Sequence, residues 1–379
     1  MTKINNMAKI EDVKNLGIYI HVPFCIQKCL YCGFYSEGGN LNGQREDEYL
    51  QGIIEDIVSY GKEYPGYIVD SVFIGGGTPS VLRTESVFSI LEQLKKSFDF
   101  AEDTEITIET NPGTVDFQKL LSYKQMGINR LSLGCQSFDN DTLKRLGRIH
   151  RAEDIEKSFK DARKAGFDNI NLDIMFAVPG HTMEIWDNTL KQTMNLYPEH
   201  ISFYSLQIEE GTPFYNMYKK GILEELDVEE DRRMYHHAIE VFKSHGYEHY
   251  EISNCAKPGK KCRHNLKYWS MDSYIGIGPT ASSYIEGARF TDGPNPEFHE
   301  NSLMDDASEF MFTGLRKTEG IKFKDFKDKV GKDYFQIFGD RQEELDEFIE
   351  TGNVVMTHEG IKLTETGIDI SNKIMTIFV

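Results

Sequence analysis

Six times between residues 17 and 208 the chain passes from a short apolar, β-branched run through a polar or glycine-rich loop into a segment with helical spacing. This alternation constrains the fold more than any other feature, because strands separated by helices become parallel neighbours joined by crossovers. The strand runs are 17–22, 69–74, 105–109, 130–133, 171–178 and 201–208. Between them apolar residues recur at helical intervals, as in Tyr49, Ile53, Ile54 and Ile57, or Val87, Ile90, Leu91 and Leu94. Six units predict an α/β fold, a partial (βα)6 barrel of the TIM type, with a doubly wound open sheet as the competing arrangement.

The pattern then changes. A helix is predicted from 229 to His245, and 247–284 is irregular and rich in glycine, asparagine and aromatics, which reads as a cap and pocket wall. Beyond 305 the order helix, lysine-rich connector, helix, two short strands and a last helix predicts a smaller winged-helix-like C-terminal domain. The expected divisions are an N-terminal extension at 1–16, the barrel at 17–228, the cap region at 229–304 and the small domain at 305–379.

A formal net charge of -19 opposes a phosphate-tracking surface, so nucleic acid is not an expected partner. The first fifteen residues mix Lys, Glu and Asp and match neither a secretory signal nor a transit peptide. With no long apolar run, a cytoplasmic, reducing location is expected.

Within that frame three of the chain's 6 cysteines, Cys25, Cys29 and Cys32, crowd the loop after the first strand. Thiolates are soft ligands that suit zinc or an iron-sulfur cluster, and three leave one coordination position for something else. A buried helix face would also accept this spacing, but Pro23 and Gly33 argue for a loop, and nothing supports a disulfide framework. Structural zinc remains the competing metal. In parallel βα folds the chemistry gathers at the carboxyl ends of the strands. Here those ends carry the cysteines, then 75–79 (Gly-Gly-Gly-Thr-Pro), Glu109 with Asn111, Gln136, Asp173 and Gln207. Each alone reads as a cap, a turn or an ion pair; together they point at one mouth.

The triplet C-x-x-x-C-x-x-C after Tyr-x-His-x-Pro-Phe, the G-G-G-T-P, the E-x-N-P-G-T and the G-x-Q-S-F-x-x-x-x-L-x-x-L-G-R-x-H resemble the radical SAM superfamily. Within it they are similar to the anaerobic coproporphyrinogen III oxidase family, over nearly the whole chain. The resemblance implies a [4Fe-4S] cluster on Cys25, Cys29 and Cys32. It also implies S-adenosylmethionine (SAM) bound at the open iron and cleaved reductively with electrons from a reduced flavodoxin or ferredoxin-type donor. Tyr19, Tyr31, Gly76, Gly77 and Thr78 match family positions around the cluster and the methionine end; Glu109, Gln136, Arg148, Asp173 and Gln207 match positions around the rest of the cofactor.

Two branches of that family differ in kind. One oxidatively decarboxylates coproporphyrinogen III and carries a further cysteine two residues past the triplet, where this chain has Phe34. The other is a heme chaperone serving membrane cytochromes. His264-Asn265-Leu266-Lys267-Tyr268-Trp269 resembles the chaperone branch and makes His264 the heme-ligand candidate, the bland alternative being a buried hydrogen-bonded histidine. Where the chaperone pattern has a second histidine, this chain has Ser282, which leaves Cys262 and His264, with Cys255 nearby, as another conceivable ligand set. The expected function is heme binding and transfer on a radical SAM scaffold, the alternative a tetrapyrrole oxidoreductase.

Overall fold

A computed structural model describes residues 14–293 and 296–379. Strand β1 (Lys14–Val22) begins three residues inside the expected extension, whose remainder, 1–13, lies outside the described residues. A two-residue ladder, β2 (Phe24–Cys25) on β3 (Glu37–Gly38), leads into helix α1 (Gly43–Glu63) and strand β4 (Tyr67–Gly76). There follow α2 (Thr84–Ser97), β5 (Asp99–Thr110), α3 (Phe117–Gln125), β6 (Arg130–Gln136), α4 (Asn140–Arg145), α5 (Ala152–Lys164), β7 (Ile170–Phe176), α6 (Met183–Leu196) and β8 (His200–Ser205).

Strands β1, β4, β5, β6, β7 and β8 lie side by side in chain order and all parallel, as the alternation predicts. Side chains alternate between the two faces of each strand. Ile18, Ile20, Ile74, Ile108, Leu172 and Ile201 are fully buried in the main hydrophobic core, each contributing about 1.5–3 kcal/mol. Local signals start the helices: Asn42, Asp116 and Thr182 each accept a backbone N–H of the first turn.

The opposite face is polar and equally buried. Asn171 Nδ2 donates to Ser132 Oγ at 2.7 Å and to Asp173 Oδ1 at 2.8 Å, while its own carbonyl lies 2.6 Å from His200 Nδ1. Charged and polar groups this deep demand partners, and the next part of the chain supplies them. After α7 (Pro213–Lys219) and α8 (Val228–Ser244) come β9 (Glu248–Glu251), β10 (Asn254–Ala256), α9 (Arg263–Trp269), β11 (Tyr274–Ile277), β12 (Ser282–Ile285), β13 (Ala288–Thr291) and β14 (Phe298–Glu300).

These elements are not the cap and pocket wall expected at 229–304. Strand β10 pairs antiparallel with β8, and β11 pairs parallel with β1, so they extend the sheet to 12 strands at its two edges. Helix α9 closes the amino-terminal end of the barrel, where Glu105 accepts the backbone N–H of Arg263 at 3.2 Å and of His264 at 3.1 Å. Gly17 makes that closure possible, since a Cβ there would lie 2.8 Å from Lys267 Cδ and 3.3 Å from the His264 ring.

The C-terminal part runs α10 (Leu303–Gly314), β15 (Ile321–Lys322), α11 (Phe323–Val330), α12 (Tyr334–Phe338), α13 (Gln342–Glu350), β16 (Val354–Met356), β17 (Gly360–Leu363) and α14 (Glu365–Asp369). Its strands form an antiparallel three-stranded sheet in the order β15-β17-β16, with Phe326, Tyr334, Phe338 and Phe378 packed beside it in edge-on and tilted contacts.

Candidate cofactor site

The cysteine loop leaves β1 at the carboxyl mouth of the barrel and is pinned from both sides. Leu30 N–H donates to Leu146 O at 3.1 Å and Leu30 O accepts from Phe214 N–H at 3.0 Å. Leu30 and Tyr31 pack on a satellite core of Leu146, Met175, Val178, Leu206, Phe214 and Leu223, separate from the main one. From the next strand, Gly77 and Thr78 donate backbone N–H groups to Val22 O and Phe24 O, both at 2.7 Å. A Cβ on Gly77 would lie 2.7 Å from Phe24 O and 3.1 Å from Cys25 Sγ, so this approach admits only glycine.

Two polar side chains hold the thiols. Thr78 Oγ1 lies 3.5 Å from Cys25 Sγ, and Arg148 Nη1 lies 3.5 Å from Cys29 Sγ. Arg148 also donates to Gly134 O at 2.6 Å and to Asn111 Oδ1 at 2.5 Å, and Asn111 Nδ2 donates to Thr78 Oγ1 at 2.9 Å. One network thus ties three strand ends to the loop. Burial, reinforced by the neighbouring thiols, pushes the Cys32 thiol up. No group of three Cys, His, Asp or Glu side chains among the described residues is arranged to hold a single ion. A cubane takes each thiolate on a different iron, and three thiols on one loop supply the donors that it needs.

Beside the thiols opens a cavity of about 680 Å³, within the range of small-molecule sites. Tyr31, Gly76, Gly77, Thr78, Glu109, Gln136, Arg148, Asp173 and Gln207 all line it, together with the three cysteines. Glu109 Oε2 accepts Gly76 N–H at 3.0 Å. Burial, with the charge of Asp173 adding to it, pushes the Glu109 carboxyl up to about 8, against the opposing pull of the Gly76 bond and Arg130. Asp173 is raised as well, by burial, although Ser132 and Asn171 hydrogen-bond its ionised form. Two acidic side chains therefore face the cavity with their charged forms disfavoured, and Glu109 holds its proton there up to about 8. Gln136 sits at a bulge where β6 pairs with β7 and takes a left-handed φ of 65°, a strained conformation for a non-glycine residue that aims its amide inward.

The sequence of the chain carries the same assignment. Residues 19–193 match the model of the radical SAM superfamily, and residues 301–370 match the HemN C-terminal domain. The heme chaperone HemW of Bacillus subtilis is 34% identical over 95% of this chain and 98% of its own length. The protein of the same name from Lactococcus lactis is 32% identical over 95% and 96%. The chain belongs to the radical SAM superfamily, in the HemW family. Among solved structures, coproporphyrinogen III oxidase (HemN) from Escherichia coli has the same fold, with a TM-score of 0.84 over 97% of this chain and 90% of that one at 21% identity.

The superfamily implies a [4Fe-4S] cluster and SAM, and the residues fit both. Three thiols line the cavity beside Glu109 and Asp173, and these acidic side chains with the glycine strip suit a sulfonium cation and a nearby ribose. Tyr19 falls outside this set. It pairs in register with Phe73, well below the Val22–Gly76 level of the mouth, and its hydroxyl lies 3.0 Å from His21 Nδ1. Phe34 stands on the cavity rim, 73% exposed.

His264 is not presented to a ligand. It is 1% exposed in the barrel floor, with Nδ1 2.9 Å from Ser71 Oγ and Nε2 2.8 Å from Tyr268 OH. Burial, with Lys267 and Arg130 adding repulsion, lowers it to about 3, so the ring is neutral and both nitrogens are engaged. The Cys255, Cys262 and His264 set does not assemble either; Cys255 and Cys262 are fully buried, Cys262 against Glu105 at 3.6 Å, and Ser282 is exposed on β12, between β11 and β13. Sequence reasoning missed Tyr204, Ser205, Met175 and Lys28, which also line the cavity. The period-2 pattern of the sixth strand carried the signal for Tyr204, since it follows His200 and Ser202 on the inward face.

Proposed function

We propose that this protein is a heme chaperone built on a radical SAM scaffold: it takes up heme as cargo and passes it to acceptor proteins, membrane cytochromes among them. Its relatives bearing the name heme chaperone cover almost the whole chain. The observation that carries the reading is Phe34, an exposed aromatic at the mouth where the oxidase branch has a cysteine beside its cluster. Cys25, Cys29 and Cys32 hold the cluster, and Gly76, Gly77, Thr78, Tyr31, Glu109, Gln136, Arg148, Asp173 and Gln207 hold SAM against it. When bound, the pair supplies one-electron reductive chemistry, fed by a flavodoxin or ferredoxin-type donor.

The chain's own residues do the positioning. Arg148 and Thr78 screen thiolate charge, Tyr31 and Leu30 keep the loop closed, and Glu109 releases its proton when a cation arrives beside it. His264 belongs to this reading as a brace of the barrel floor and not as the iron ligand. No helix among the described residues is long and apolar enough to cross a membrane. Anaerobic reconstitution followed by heme titration tests the proposal. A saturable Soret shift with wild-type protein, retained when Ser71→Ala loosens His264, is expected; absence of heme binding by an intact, cluster-loaded protein refutes it.

A further inference from the structure

One wall of the cavity is tied to the C-terminal unit by an unbroken polar chain. Ser205, the last residue of β8, lines the cavity and donates its hydroxyl to Asp231 Oδ2 in the first turn of α8. The other oxygen of Asp231 accepts from Arg232 Nε at 2.8 Å. The Arg232 guanidinium lies over the Tyr235 ring at 4.8 Å and reaches Asp369 Oδ1 at 3.5 Å, at the end of α14. The second oxygen of Asp369 is 2.8 Å from His236 Nε2, one turn further along α8. Asp231, Arg232 and Asp369 have side chains only 16%, 29% and 24% exposed, so this is not a solvated surface pair.

We propose that the C-terminal unit sets the position of the cavity wall through Asp369, which makes Asp369, Arg232 and Asp231 positioning residues for the ligand bound there. The segment they hold carries Tyr204, Ser205, Gln207 and Glu209, all of which face the cavity. Because Asp231 divides its carboxylate between Ser205 and Arg232, a shift of Arg232 is passed on to the wall. Near by, Lys243 pairs with Glu365 across the same two helices but touches nothing in the cavity, which provides an internal control. The cavity ligand is SAM, so that part of the inference rests on the function proposed above.

The test compares Asp369→Asn, Asp369→Glu and Glu365→Ala in full-length reconstituted protein. Two quantities are read: the dissociation constant for labelled SAM by equilibrium dialysis, and amide hydrogen exchange across 203–209. Asp369→Asn is expected to weaken SAM binding about three- to tenfold, in the ordinary range of coupling between sites, and to speed exchange in 203–209. Iron and sulfide content stay unchanged. Asp369→Glu restores at least part of the affinity, Glu365→Ala changes neither quantity, and Asp231→Asn combined with Asp369→Asn adds nothing to the single variant. Unchanged exchange in Asp369→Asn, or an equal change in Glu365→Ala, overturns the proposal. If wild-type protein fails to bind SAM, the cofactor reading fails instead, and the exchange comparison still decides this one.

Discussion

Glu109→Gln tests how the site is charged before any cofactor arrives. The folded protein keeps the Glu109 proton up to about pH 8, whereas the unfolded chain releases it near the ordinary value of 4.5. Between those values the folded state binds more protons, so stability falls as pH rises, and the loss is complete above the folded value. The full span corresponds to about 5 kcal/mol, an upper bound because the carboxyl opens onto the cavity; about 2–3 kcal/mol of it falls between about pH 6 and about pH 8.5. Glutamine keeps an acceptor for Gly76 N–H and cannot ionise. Urea unfolding of SAM-free protein should therefore show a wild-type free energy that declines across this window, and a Glu109→Gln decline smaller by about 2–3 kcal/mol. Added SAM should reverse the order, stabilising wild type more than the variant. Identical pH slopes for the two proteins would refute the reading that a buried, protonated carboxyl waits in the cavity.

Other expectations follow from the same geometry. Gly77→Ala places a methyl 2.7 Å from Phe24 O and should leave the reconstituted protein with well under half the wild-type iron and sulfide, while Gly52→Ala, in open space on α1, should load normally. Arg148→Lys loses the guanidinium fork that reaches Cys29 Sγ through Nη1 and both Gly134 O and Asn111 Oδ1 through Nη2, and should weaken SAM binding by about 1–3 kcal/mol, read by equilibrium dialysis. His264→Ala leaves Ser71 and Tyr268 unpartnered in the floor, and should cost about 2–4 kcal/mol in urea unfolding with no change in iron content.

The sheet was legible because its signal is local. Each strand run is short and β-branched, each helix has its apolar stripe, and parallel neighbours in chain order are what crossovers of that length produce. The cavity residues were legible for a related reason. A parallel sheet brings all its carboxyl ends to one side, so Gly76, Glu109, Gln136 and Asp173, far apart in sequence, meet without any pairing having to be guessed. Tyr19 is not among the residues that line the cavity, because the motif gives proximity to the cysteines but not depth; it lies three residues before Val22 on β1. The floor was hidden for a different reason. The pairing of β10 with β8 and of β11 with β1 spans long stretches of chain, and a run such as His264 to Trp269 reads equally as a ligand site or as a plug for polar strands. What decides between them is Glu105, Ser71 and Arg130 on the inner faces of distant strands, polar groups whose need for partners appears only once those strands lie side by side.

The central claim is that this scaffold carries heme. It is tested most directly by loading the reconstituted, SAM-bound protein with one equivalent of heme, mixing it with a heme-free cytochrome in vesicles, and following the acceptor's spectrum. The account predicts that heme leaves the protein and appears in the acceptor, and that coproporphyrinogen III added to the same preparation yields no carbon dioxide. Heme that never binds, or decarboxylation of coproporphyrinogen III with matching formation of 5'-deoxyadenosine, would contradict it.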